Sequence, residues 1–423
     1  MNAPQAVGDF STANPHALAT ILEASETRSI IASRDIFDIS GTKLWARDQP
    51  VSSALQRKLL DRKLRNPLES CLMAEDGVTA KTLQKAAQVQ LDSATPLSLL
   101  LRPHGAKIVR EIEHLPIHAV AQLLLTASES SRPETFGHAV QAMALSGALM
   151  LEHGGGTAEL RLAMLCGLLH DLGEMYIDPR YGEADADRAL DFQSYQHLVV
   201  HPHVGYLLIA QLTNYPATVA RAIAEHHERL DGSGYPNSLQ RDDMSPLGRL
   251  LAVMEGALGV LRTAPANLAR VSVALRVVPG EFELGWVGAI SDVARAQPAL
   301  PANHAVNDVQ ARLAVLDGAL RVAKEQVDEL AVSAESPALK SALTLAQHLL
   351  GRLRAGWFAS GLWSNEALLA QDAAEVEAIE DELFYRLRSI ERATLLRAGE
   401  LASDEAQRLE RLCEVFRQGG GAT

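Results

Sequence analysis

His226-His227-Glu228, running into Asp231-Gly232-Ser233-Gly234-Tyr235-Pro236, is the most informative stretch of this 423-residue chain. Successive residues on an α-helix project about 100° apart, so two adjacent imidazoles can each serve a different cation where ions lie side by side. Gly232, Gly234 and Pro236 then end any helix and force a tight loop, which sets the histidine pair near a helix end. A capped surface helix end has the same local pattern, so the block has to be weighed with the rest of the chain.

Upstream, His170 and Asp171 close the apolar run Leu165-Cys166-Gly167-Leu168-Leu169. An imidazole and a carboxylate at the end of a buried segment are costly without partners. Glu134 and His138 are four apart, which puts both on one helix face, the arrangement a metal-binding helix uses. His201 opens a further helix with Gly205 one turn on, and Glu255 interrupts the apolar run Leu250–Leu261. Eight of the 14 histidines lie between positions 138 and 227, a crowding that points to a shared site rather than to scattered core imidazoles.

A chain of this length exceeds one ordinary core. Aromatics make up only 4% while Ala and Leu abound, a balance that favours helices. The net charge of −13 argues against a general affinity for nucleic acid, which needs clustered Lys and Arg. It leaves room for a small phosphorylated ligand, because cations in a cleft reverse the local field. Apolar runs stay short of the roughly 18 residues a membrane helix needs, and Met1–Phe10 has no signal-peptide character. Cys71, Cys166 and Cys413 show no paired spacing and read as reduced thiols of a cytoplasmic protein.

Four parts follow from the patterning: a tail and short helix over 1–28, a small α+β regulatory unit over 29–110, a helical domain with every candidate ligand over 111–298, and a helical region over 299–423. Alternation around Ser40-Gly41 predicts a hairpin within Ser29–Ala46, and Val51–Pro67 reads as a helix with Leu55, Leu59, Leu60 and Leu64 on one side. The polar stretch Asp178–Asp191 reads as a surface loop. Val309, Leu313, Leu316, Leu320, Ala323, Val327 and Leu330 form about three heptads, which suit either a bundle within the chain or a homodimer interface. Val376, Ile379, Leu383, Leu387 and Ile390 repeat a helical stripe, with breaks expected at Ser333–Pro337 and Gly361–Ser364.

With these residues in place, positions 111–298 resemble an HD-GYP domain of the HD phosphohydrolase superfamily: His170-Asp171 match the HD pair, His226–Pro236 the GYP signature, and His201, Pro202 and Gly205 the element between. The resemblance implies a mainly α fold, an HD-GYP-type helical domain flanked by the small N-terminal α+β unit and a C-terminal helical bundle or coiled coil. It implies hydrolysis of cyclic di-GMP to pGpG or GMP at two or three divalent cations, iron or manganese. Its metal ligands fall on Glu134, His138, His170, Asp171, His201, His226, His227 and Glu255, the last an aspartate in most members. Asp171 and His170 take the catalytic roles, while Asp231, Gly232, Gly234, Tyr235 and Pro236 form a loop for substrate or protein partners.

This chain departs from the family pattern at several points. Glu174 stands where members carry a lysine thought to hold the substrate phosphate, so Glu174→Lys should raise turnover or nucleotide affinity. A Lys-Pro-Gly segment after the HD pair is absent, and Arg262-Thr263-Ala264-Pro265 replaces an Arg-Pro-Tyr element. These departures define an alternative reading: an impaired receptor that keeps metal and perhaps nucleotide and signals to proteins through its C-terminal helices.

Overall fold

The computed structural model describes residues 10–181, 192–262, 266–297, 306–361, 373–397 and 401–419. These divide into two compact units, one of residues 1–227 with 245–258, the other of 228–244 with 259–423. The division does not follow the boundaries expected near 110 and 298. The N-terminal residues cluster with the histidine-bearing helices, and the border falls between His227 and Glu228.

In the first unit, the helices are α1 (Pro15–Ala24), α2 (Ser53–Leu59), α3 (Ala80–Asp92), α4 (Pro96–Leu101), α5 (Gly105–Ile112), α6 (Ala119–Ser131), α7 (Pro133–Glu152), α8 (Thr157–Leu169), α9 (Phe192–Leu198), α10 (His201–Leu212), α11 (Ala217–Glu225) and the start of α12 (Pro246–Arg262). From Ala139 to Met150 all but one residue of α7 is buried, so this helix is surrounded on every side and forms the centre of the unit. It packs most extensively against α8. The approach is close because Gly167 faces the Ala142 carbonyl, where a Cβ would stand only 2.5 Å from the oxygen. Helix α8 begins where Gly156 N–H donates to the Glu159 carboxylate at 2.7 Å, a satisfied first-turn donor.

The small strands belong to the N-terminal segment. β2 (Ile36–Phe37) and β3 (Lys43–Trp45) form the expected antiparallel hairpin, with Gly41 at φ +84° and the Asp38 carboxylate accepting from the N–H groups of Ser40 and Thr42. β1 (Ile30–Ala32) lies outside that hairpin and pairs instead with β4 (Leu72–Ala74), Ile31 opposite Met73. The helix expected over Val51–Pro67 is only α2. The chain turns away at Leu60, which is 64% exposed, and Asp61 sits at φ +56° before Leu64 bridges back to Asp38. Local pattern overestimated this helix because Leu64 is buried by a strand-like bridge and not by a helical face.

Within the second unit, α13 (Leu268–Ala274) and α14 (Leu284–Arg295) pair, and α15 (Val306–Val332), α16 (Pro337–Ser360), α17 (Ala373–Leu396) and α18 (Ser403–Gly419) form a bundle. Leu313, Leu316, Leu320, Ala323 and Val327 are all buried among these helices, so the heptad stripe is taken up within the chain. Leu383, Leu387 and Ile390 likewise face inward. Ser336 caps α16 by accepting from Leu339 N–H, and Gly361 ends it in the left-handed region, where a glycine carries no Cβ penalty. Residues 1–9, most of the 178–191 stretch, 263–265 and 362–364 lie outside the described residues. No described helix is long and apolar enough to cross a membrane.

Candidate metal centre

Seven of the eight predicted ligands converge in the first unit, drawn from five helices or the residues that follow them. His138 comes from α7, His170 and Asp171 follow α8, His201 opens α10, His226 and His227 follow α11, and Glu255 lies in α12. All seven are at least 94% buried. They form two groups, His138, His170, Asp171 and Glu255 on one side and Asp171, His201, His226 and His227 on the other, with donor atoms in each group within 4.8 Å of one another. Asp171 belongs to both. Its Oδ2 lies 3.0 Å from His170 Nε2 and 3.2 Å from His138 Nε2, while its Oδ1 lies 3.2 Å from His226 Nε2 and 3.5 Å from His201 Nε2. Glu255 Oε2 completes the first group at 3.1 and 3.2 Å from the same two imidazoles.

Glu134 is the exception. It is exposed in the first turn of α7 and stands in neither group, although His138 one turn later is buried. Spacing placed the two on one helix face, but that face leaves the core at the N-terminal end of α7.

Backbone carbonyls set the state of the imidazoles. The Nδ1 atoms of His170, His201 and His226 lie 2.8, 2.7 and 2.6 Å from the carbonyl oxygens of Gly167, Leu198 and Ile223. A carbonyl only accepts, so each Nδ1 carries the proton, and it is Nε2 that each ring turns to the centre, as a lone pair when the ring is neutral. This is how ligating histidines are fixed in tautomer and orientation.

The residues fit cations. His201 Nε2 and His226 Nε2 are 3.0 Å apart, as are His138 and His170 Nε2 at 3.1 Å. Two nitrogens each bound at about 2.1 Å to one ion, with about 90° between them, would be separated by about 3 Å. Both Asp171 oxygens are out of water and accept no hydrogen bond among the described residues. Protonation alone satisfies the cluster poorly. Burial opposes charge on His170, yet Asp171 and Glu255 against it raise its pKa well above the ordinary imidazole value. Burial likewise opposes ionising Asp171, and the imidazoles around it hold its pKa well below the ordinary carboxylate range. At His226, burial and then the neighbouring His227 lower the pKa to about 3, which keeps that ring neutral. Cys166, in α8, supplies no thiolate, since burial pushes its pKa up to about 12.

Close backbone contacts hold these elements in register. After Asp171 a 3-10 helix (Leu172–Tyr176) lies against the start of α10. A Cβ on Gly173 would come within 2.0 Å of the His201 carbonyl oxygen. Two features escaped the sequence reading. Glu225, 3% exposed, accepts from Arg221 Nε at 2.7 Å and from Ser245 N–H at 2.8 Å, tying the end of α11 to the start of α12. The N-terminal segment braces the 3-10 helix: Asn14 Nδ2 donates to the Tyr176 carbonyl at 3.1 Å and Tyr176 Oη to Glu69 at 2.6 Å. Hydrogen bonds between residues brought together only by tertiary folding have no spacing signature, which is why neither was legible.

Glu174 is buried, and the Arg132 guanidinium engages it: Arg132 Nη1 donates to the Glu174 carbonyl at 3.2 Å and the two side chains attract electrostatically. This reverses the expectation for Glu174→Lys. A buried ammonium beside Arg132 should lower stability by about 3 kcal/mol or more, seen as a drop in Tm with no gain in turnover. A Tm equal to wild type with faster turnover would contradict this.

The Gly-Tyr-Pro block belongs to the second unit. Fully buried Glu228, a third carboxylate the spacing did not reveal, closes the loop by accepting from Asn237 N–H at 2.7 Å and Leu239 N–H at 2.9 Å. Gly232 takes φ +82°, and the Asp231 carboxylate accepts from Ser233 N–H and Oγ. Gly234 is buried and Tyr235 and Pro236 are half-buried.

Residues 123–256 match the family model described as HD domain, a span that contains all seven clustered ligands. Over 208 residues the chain is 28% identical to the cyclic di-GMP phosphodiesterase PA4108 of Pseudomonas aeruginosa, covering 49% of this chain and 47% of that protein. It is 35% identical over 145 residues to the 3'3'-cGAMP-specific phosphodiesterase 2 of Vibrio cholerae, covering 33% and 27%. It is 27% identical over 137 residues to a cyclic di-GMP phosphodiesterase of Thermotoga maritima, covering 32% and 37%. The chain thus spans about half or less of the length of these relatives. The span that matches the HD domain model holds both the HD pair and the His-His to Gly-Tyr-Pro block, and over it the chain is similar to HD-domain proteins.

Proposed function

We propose that the protein is a metal-dependent phosphodiesterase that hydrolyses cyclic di-GMP to pGpG and GMP in bacterial second-messenger signalling. The observation that carries this reading is the pair of buried four-residue groups that share Asp171. Two iron or manganese ions suit five imidazoles and two carboxylates without thiolate. When bound, such ions lower the pKa of water and neutralise charge on phosphoryl oxygens. Asp171 presents one oxygen to each group, and the carbonyl-anchored rings of His170, His201 and His226 keep the donors in place without reorganisation. His170 and Asp171 form the catalytic pair. Water adds to phosphorus, the P–O3′ bond breaks, and the departing oxygen takes up a proton. The loop carrying Asp231, Gly232, Gly234, Tyr235 and Pro236 contacts the nucleotide or a signalling partner. Relatives named for cyclic di-GMP and for 3'3'-cGAMP support the substrate class. The receptor reading leaned on Glu174, whose charge Arg132 offsets.

Incubating iron- or manganese-loaded protein with cyclic di-GMP without oxygen, with 3'3'-cGAMP in parallel, should release linear product. Nucleotide binding without any linear product would reject the proposal. His226→Ala should lower both metal content and turnover, the latter by about 100-fold or more, and full metal occupancy in that variant would remove His226 from the ligand set.

A further inference from the structure

The N-terminal segment carries a charge balance opposite to that of the whole chain. Residues 34–65 hold eight Lys or Arg against four Asp, in a protein of net charge −13. A strand-like segment extends the β2–β3 hairpin: Asp38 bridges Leu64, Ile39 N–H donates to the Lys63 carbonyl at 2.9 Å, and Arg65 N–H donates to the Phe37 carbonyl at 2.9 Å. Side chains alternate across such a sheet. Ile36, Asp38, Leu44 and Leu64 are buried on its inner face, whereas Phe37, Ile39, Lys43, Lys63 and Arg65 lie on the outer one. Three of the four Asp are taken up locally, Asp35 by Lys43 at 2.6 Å, Asp38 by Arg62 at 3.2 Å and Asp48 by Arg47 at 3.5 Å. Lys58, Lys63 and Arg65 are exposed and make no ion pair among the described residues. Arg65 lies over the Phe37 ring at 6.0 Å, and Lys58, from α2, lies over the half-buried Trp45 ring at 5.3 Å. Ile39, beside the Ser40-Gly41 turn, is 62% exposed at the tip of the hairpin.

We propose that this face docks onto the anionic surface of a phospholipid bilayer, with Ile39 entering the headgroup region and Lys58, Lys63 and Arg65 meeting lipid phosphates. An apolar side chain that leaves water together with a cluster of cations is the two-part signal a reversible surface contact needs. Single-stranded nucleic acid, the competing polyanion, binds by stacking bases on open aromatic faces. Here both rings are half-buried and each has a cation over it, while the most exposed apolar group is an aliphatic one, which gains by burial and not by stacking. The acidic remainder of the chain opposes wrapping by a long polyanion, but screening confines that repulsion to about 8 Å at physiological ionic strength, so a contact through one face is left intact. The docking face is independent of the metal centre and of the reaction proposed for it.

The test is cosedimentation of the full chain with vesicles of phosphatidylcholine, alone or with about one third phosphatidylglycerol, alongside titration with a single-stranded oligo-dT. Wild type should sediment with the anionic vesicles and not with the neutral ones, and added salt should release it. Lys63→Gln with Arg65→Gln should weaken that binding at least about tenfold, and Ile39→Ser about threefold or more. Lys81→Gln with Lys340→Gln removes two exposed cations elsewhere and should leave binding within about twofold of wild type. The proposal is overturned if the chain binds neither kind of vesicle, if it binds both equally, if the Lys63 and Arg65 double variant matches wild type, or if the Lys81 and Lys340 control loses as much. Tighter binding of the single strand than of the anionic vesicles, lost in the same double variant, overturns it in favour of nucleic acid. Every substituted side chain is exposed, so the variants leave the core untouched.

Discussion

Asp171→Asn should remove both cations and reduce turnover by on the order of 10³-fold or more, because one side chain supplies an oxygen to each ligand group. Asparagine keeps the shape but replaces one anionic oxygen with an amide donor. Whichever way the amide turns, its NH2 faces imidazole nitrogens that lie 3.0–3.5 Å from the present carboxylate. The loss therefore cannot be confined to one group. Losing either group's partner alone, as in His201→Ala, leaves the other group whole, so metal content separates the two cases: close to none for Asp171→Asn, about half for His201→Ala. Elemental analysis of the purified variants, with product formation measured alongside, checks both numbers. Wild-type metal content in Asp171→Asn would contradict the shared role of this carboxylate.

Gly173→Ala should be nearly as damaging although Gly173 offers no ligand atom. The added Cβ would sit 2.0 Å from the His201 carbonyl oxygen and 2.8 Å from Gly205 N, both backbone atoms that cannot rotate away. Overpacking of this kind costs about 1–3 kcal/mol or more, and relief requires the 3-10 helix and the start of α10 to separate. His201 then leaves its group, while His138, His170, Asp171 and Glu255 draw on other elements. We expect a protein that folds with lowered Tm, retains about one cation and loses at least about 100-fold in turnover. Thermal unfolding with metal analysis decides the matter, and an unchanged Tm with two cations would show that the backbone has room the geometry denies.

The sequence by itself determined the mainly helical class, the Ser40-Gly41 hairpin, the α15–α16 break and the positions of the imidazoles, because each depends on local periodicity, turn chemistry or residue type. It also indicated the heptad stripe, but not whether the partner lay within the chain. Only the tertiary structure decided which carboxylates count. Glu134 and Glu255 looked equivalent as candidates, yet one is exposed and the other buried against two imidazoles, since burial is set by distant helices and not by spacing. Glu225 and Glu228, to which spacing gave no role, proved to be buried acceptors of backbone N–H groups. The same reason holds throughout: spacing controls which way a side chain points from its own element, whereas the close contacts at Gly167 and Gly173 control how near those elements come.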